Sequence, residues 1–166
     1  MNLHHRPVTE DDIAQICAFA RNADELFWFF PKARFPLTAE QLRDAIAQRT
    51  DSTVVECAGD VLGFANFYRW EYGGVCCIGN VVVAPTARNR GVARYLMQRM
   101  IELAFSTYQA SEVRVSCFNH NTAGLLLYPK LGFRPFAVEE RQGKAGERLA
   151  LVHLRRLRAH AASHDA

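Results

Sequence analysis

Apolar positions divide the chain into short periodic segments. Leu3 to Val8 reads as a strand. Behind Thr9 and Asp12, spaced as a capping box, Ile13, Ile16, Cys17 and Ala20 recur at helical spacing and predict a helix to about Asn22. Thr38 and Gln41 open a second helix, to about Arg49, with Leu42, Ala45 and Ile46 on one side. Between the two lies ELFWFFPKARF, Glu25 to Phe35, where Phe27, Trp28, Phe29 and Phe30 follow one another. Four aromatics in a row fit neither the 3.6-residue nor the 2-residue period, so this stretch reads as a connection.

Strands come next. Thr53–Ala58 and Val61–Trp70 flank Gly59-Asp60, a hairpin signal. Val75–Ala84 is apolar throughout except at Gly79-Asn80, which predicts a strand buried on both faces with an irregularity near its middle. After a loop at Pro85–Arg90, Val92, Tyr95, Leu96, Met100 and Leu103 mark an amphipathic helix from Gly91 to about Tyr108. Val113–Cys117 is a strand. Asn121–Lys130 is a short helix that ends before Gly132, a C-cap glycine. Strands at Phe133–Glu139 and Arg148–Leu154 close the series, with a turn at Gln142–Glu147. The order β-α-α-β-β-β-α-β-α-β-β predicts one α/β (α+β) domain with a mixed sheet over residues 1–154, and a tail at 155–166 that frays.

The chain's 166 residues suit one domain, and 49% hydrophobic with 22% charged residues is ordinary for a globular protein. A net charge of +3 is too small to argue for nucleic acid. The five cysteines (Cys17, Cys57, Cys76, Cys77, Cys117) include no C-x-x-C pair and read as buried thiols in a reducing compartment. No signal-like or membrane-length apolar run is visible, so the expectation is a cytoplasmic protein without a membrane partner. No residue cluster calls for a metal.

Chemistry concentrates in VVVAPTARNRGVARYL, Val81 to Leu96. A buried strand runs into a loop carrying Arg88, Arg90 and Gly91, and a helix starts at once. Unpaired N–H groups and the positive dipole end make such a helix start an anion site, and Arg94 adds charge. A Walker A loop and a three-glycine Rossmann fingerprint are both missing. What stands there is R-x-x-G-x-A, Arg88, Asn89, Arg90, Gly91, Val92 and Ala93.

This segment resembles the acetyl-CoA pyrophosphate loop of the GNAT superfamily, the Gcn5-related N-acetyltransferases. NTAGLLLYPKLGF, Asn121 to Phe133, resembles the later motif of that family: Asn121, Leu127, Tyr128, Gly132 and Phe133 match, and Gly124 stands where alanine is usual. The resemblance covers roughly residues 3 to 154. It implies a mostly antiparallel sheet of about seven strands flanked by about four helices, with splayed central strands that admit acetyl-CoA.

What the resemblance implies for single residues follows from these motifs. Backbone groups of Val81, Val82 and Val83 would meet pantetheine, and a free N–H at Val83 would stabilise the oxyanion. The stretch from Arg88 through Asn89, Arg90, Gly91, Val92 and Ala93 to Arg94 would hold the pyrophosphate. Asn119, Asn121, Leu125 and Lys130 would line the cofactor, with helix capping as the rival role for Asn121. Tyr128 would protonate the departing thiolate. The fourth strand has no carboxylate where many members carry a glutamate. Glu102 acting through a water chain is then the candidate base, with Glu25 and Glu71 behind it. Phe27, Trp28, Phe29, Phe30, Phe35 and Trp70 would wall the acceptor, at least two of these rings serving as plain core, and Asn80 would position a water. Lys32, Arg34 and Arg69 would attract a carboxylate. The expected reaction is acetyl transfer from acetyl-CoA, the co-substrate, to a primary amine of a small molecule, amino acid or peptide, by a monomer or homodimer. The rival from another class is an acyl-CoA-binding module without catalysis.

Overall fold

The structure, a computed structural model, describes residues 1–159. The expected fraying beyond residue 159 lies outside them. Seven strands form one sheet in the order β1-β2-β3-β4-β5-β7-β6. They are β1 His4–Pro7, β2 Thr50–Cys57, β3 Asp60–Trp70, β4 Val75–Val83, β5 Glu112–Phe118, β6 Arg134–Gln142 and β7 Arg148–Leu157. All neighbours are antiparallel except β4 and β5. Five α-helices accompany them: α1 Ile13–Cys17, α2 Ala23–Phe29, α3 Ala39–Gln48, α4 Val92–Ser106 and α5 Thr122–Lys130.

The mixed, mostly antiparallel sheet agrees with the expected architecture, and local chemistry sets its details. Thr9 and Asp12 do form a capping box, but the helix they open ends at Cys17, well short of Asn22. Asn22 instead caps a further helix, accepting from Glu25 N at 2.9 Å, and the aromatic run sits on that helix. Hence the described residues form five α-helices where about four were expected. The β2–β3 turn lies at Ala58-Gly59, both at positive φ, one residue earlier than expected. The last two strands of the chain, β6 and β7, are longer than expected. β7 reaches Leu157 because Glu112 at the start of β5 still pairs with it there, so the domain extends past Leu154.

The core wraps α1, α3 and α4 around the sheet. Phe64, Phe67, Leu96, Met97, Met100 and Phe133 are fully buried in one cluster. Burying each such side chain contributes roughly 1.5–3 kcal/mol. All five cysteines are free thiols, with Cys76, Cys77 and Cys117 buried. Among the described residues no helix is long and apolar enough to cross a membrane.

The β4–β5 boundary positions the site. Pairing covers only Val75–Ile78 against Glu112–Val115. Beyond it the strands part. On the other side of β4, Phe64↔Val82 is followed by Asn66↔Gly79, so β4 carries one extra residue there, at a bulge where Asn80 has φ 51°. The expected irregularity at Gly79-Asn80 is this bulge. Asn80 is buried, and its side chain is bonded at both ends: Nδ2 donates to Phe29 O at 2.8 Å and Oδ1 accepts from Asn66 Nδ2 at 3.0 Å. The bulge is thereby tied to α2.

Candidate active site

A cavity of about 570 Å³ fills the opening between β4 and β5. Val81, Val82 and Val83 form one side, the start of α4 closes one end, and α5 forms the other side. Ala84 N donates across to Leu62 O on the β3 side at 2.8 Å. Since backbone groups alternate along a strand, the N–H groups of Val83 and Val81 point the other way, into the gap. An edge strand with free donors accepts an extended ligand as an added strand.

The α4 end presents the start of a helix to the cavity. Gly91 caps the helix with φ 82°, a left-handed conformation that glycine adopts without strain. A Cβ there would meet nothing within 4 Å, so the space beside it is open. Asn89 also has positive φ, so the loop turns sharply just before the helix. Asn89, Gly91, Val92, Ala93 and Arg94 line the cavity. The Val92 side chain turns away into the core against β3.

Arg88 differs from the expected charge donor. It donates Nη1 to Glu25 Oε1 at 2.9 Å, and Nε and Nη2 reach Val83 O and Phe19 O at 3.4 Å. Glu25 is buried, also accepts from Arg21, and has its carboxyl held down to about 2, chiefly by Arg88. Arg88 is therefore a brace between the loop and α2. Arg90 points to solvent outside the cavity, because it precedes the helix on the outer side of the turn.

Tyr128 lines the cavity from α5 and is 6% exposed. Burial pushes its phenol well above the usual value, and the nearby Cys117 adds to this. The phenol therefore stays protonated at neutral pH. Asn121 takes the capping role, its Oδ1 accepting from Gly124 N at 3.2 Å, and the residue also lines the cavity. Gly124, where alanine is usual, is explained by its neighbour. A Cβ there would lie 2.7 Å from Cys117 Sγ.

Other expected residues lie elsewhere. Glu102 is on the solvent face of α4, paired with Arg99, outside the cavity. Its place beside apolar residues in sequence does not carry over to the helix surface. Glu71 is at the surface, paired with Arg69. Asn119 is exposed and ties β5 to β7, accepting from Ala150 N at 2.9 Å. Leu125 packs on the core, whereas Ala123, Gly124, Leu126 and Leu127, not expected there, line the cavity beside Lys130. Within the aromatic run only Trp28 and Phe29 reach the cavity. Phe27 packs on Phe118, ring centroids 4.6 Å apart, and Phe30 on a small cluster with Leu26 and Leu37. Phe35 and Trp70 are exposed and away from the cavity. On a helix, four successive side chains point four ways, which divides the run between wall and core. Trp28 Nε1 is buried without a partner.

Known proteins share this architecture. A GCN5-related N-acetyltransferase from Kribbella flavida is 28% identical, with TM-score 0.75, over 94% of this chain and 98% of that one. Ribosomal-protein-alanine N-acetyltransferase from Brucella melitensis is 23% identical, with TM-score 0.77, over 93% and 99%. The structure of yncA from Salmonella typhimurium, with its cofactor acetyl-CoA, is 22% identical, with TM-score 0.73, over all of both chains. Residues 18–133, which contain the bulged strand, the α4 loop and Tyr128, match the acetyltransferase (GNAT) family, and the chain belongs to it.

Proposed function

We propose that the protein transfers an acetyl group from acetyl-CoA to a primary amine by direct attack in a ternary complex. The observation that carries this reading is the placement of the free β4 edge between an anion-binding helix start and a protonated tyrosine. A molecule with a pyrophosphate, an extended amide arm and a thioester fits that sequence of contacts.

The pyrophosphate rests on backbone N–H groups between Asn89 and Arg94, with Arg94 adding charge. The pantetheine amides pair with Val81 and Val83, and the Asn121 amide meets the arm from across the gap. The thioester carbonyl then lies against a β4 N–H, which stabilises the charge that develops on oxygen as the amine attacks. When the tetrahedral intermediate collapses, the carbon–sulfur bond breaks and Tyr128 gives its proton to the thiolate. Glu25 is the carboxylate lining the cavity, and two arginines already hold its oxygens, which makes it a poor base. The amine therefore enters neutral and loses its proton to water.

Trp28 and Phe29 wall the far side of the cavity and favour an acceptor with an apolar portion beside its amine. A small molecule, an amino acid or a peptide end has that form. The test is free-thiol release from acetyl-CoA against amino acids, lysine peptides, polyamines and aminoglycosides. Release that depends on one amine class is expected. Tight acetyl-CoA binding with no amine-dependent release would identify a binding module instead.

A further inference from the structure

The last β4–β5 pair is Ile78 with Val115, so Gly79 and Ser116 are the first residues past the point where the strands part. A Cβ on Gly79 would lie 2.7 Å from Arg49 Nη1 and 2.7 Å from the Tyr68 ring. Arg49, the C-cap residue of α3, is thus pressed against the bulge, with its guanidinium carbon 5.4 Å from the Tyr68 ring centroid. Its one side-chain bond goes to a neutral group, Asn66 Oδ1, at 3.1 Å. Among the described residues no carboxylate pairs with it, whereas Arg69, Arg114 and Arg155 each have one. Burial disfavours its charged form. A half-buried guanidinium held by one amide oxygen has donors to spare and an incomplete electrostatic return.

Arg49 and Tyr68 do not line the cavity themselves, but a chain of buried side chains links Arg49 to its wall. Asn66 is fully buried and passes the contact on: its Nδ2 donates to Asn80 Oδ1, and Asn80 Nδ2 donates to Phe29 O on the cavity wall. Beside Tyr68 lies Ser116, whose Oγ is 2.7 Å from His153 Nδ1. The parting point thus has a cation on the β4 side and hydroxyl and imidazole groups on the β5 side.

We propose that Arg49 is the anion anchor of the acceptor site, and that the acceptor is an amine carrying a carboxylate, as in an amino acid or a short peptide. The proposal rests on the acetyl-transfer reading. The guanidinium fork takes the carboxylate, Tyr68 flanks it, and the amine end lies at the parting point near Ser116. Glycine at position 79 leaves the guanidinium room to sit there. The surface cations expected to attract a carboxylate do not compete: Arg69 is held by Glu71, and Lys32 and Arg34 are exposed on the loop after α2.

The product keeps the carboxylate, so binding tests the anchor without turnover. Calorimetry on the CoA-saturated protein would compare N-acetylphenylalanine, N-acetylleucine and N-acetylglycine with their decarboxylated counterparts. At least one acid should bind the wild type about 10-fold or more tightly than its counterpart. Arg49→Gln should erase that preference and Arg49→Lys keep part of it, both with unchanged CoA affinity. Steady-state kinetics of Arg49→Gln should then show a raised KM for the carboxylated amine with kcat little changed. If Arg49→Gln fails to fold, Arg49→Lys carries the comparison. No preference in the wild type, a preference that survives in Arg49→Gln, or one that is undiminished in Arg49→Lys, overturns the anchor. An intact preference without acetyl transfer would overturn the enzymatic reading alone.

Discussion

Arg88 Nη1 meets Glu25 Oε1 at 2.9 Å, joining the loop before α4 to the first turn of α2 across the cleft mouth. The pair thus ties two of the elements that line the cavity to each other. Glu25 is buried and its carboxyl is held at about 2, below its unfolded value. A depressed carboxyl contributes stability above its unfolded pKa and loses it as pH falls through the folded one. The wild type should therefore lose roughly 2 kcal/mol from this group between pH 5 and pH 2, and Glu25→Gln should lose that part of the pH dependence. Urea melts of both proteins across this range check it. Parallel curves would show that the pair adds nothing.

Tyr128→Phe should lower kcat by roughly 10² while leaving acetyl-CoA affinity and melting temperature nearly unchanged. The stability expectation follows from the hydroxyl, which has no hydrogen-bond partner among the described residues. An unaltered kcat would remove the tyrosine from the mechanism.

Gly91 and Gly59 form a matched pair. Both have positive φ, 82° and 88°, and a Cβ on either would meet nothing within 4 Å. Alanine at each should cost about 1 kcal/mol of stability through backbone strain. Only Gly91→Ala should also weaken acetyl-CoA binding, since the open space beside it is the proposed pyrophosphate site. Calorimetry on both variants separates strain from obstruction, and equal acetyl-CoA affinity in the two would move the pyrophosphate elsewhere.

Gly124→Ala restores the residue usual in the family motif and should nonetheless destabilise this chain, by roughly 1–3 kcal/mol from overpacking. The clash is with Cys117 Sγ, 2.7 Å from the new methyl. Cys117→Ala should relieve it, so the double variant should be more stable than the sum of the single effects implies. Additive effects would mean that the thiol is not the obstacle.

How far the sequence reached depends on the range of the interactions involved. The strand bearing Val81–Val83, the glycine that starts α4, and Tyr128 on α5 were legible because each sits in a local pattern that chain chemistry enforces: an apolar run, a left-handed turn and a helix motif. The bulge was legible for the same reason, as a polar pair inside an apolar strand. The length of α1, the helical state of the aromatic run and the extension of β7 were not, because end caps and strand partners far along the chain decided them.

The sequence by itself determined the order of the strands and the family, and it named the candidate cofactor residues. Tertiary structure decided which charges are free. Arg88, read as a phosphate ligand, is bound to a carboxylate from α2, while Arg49, at the end of the helix that Thr38 opens, has none among the described residues. It also decided which of four adjacent rings face the cavity, and it put Glu102 in solvent. The physical reason is that charge pairing and burial depend on distances through space between α2, α3, β4 and the α4 loop. Those distances exist only once the sheet has formed and its two central strands have parted.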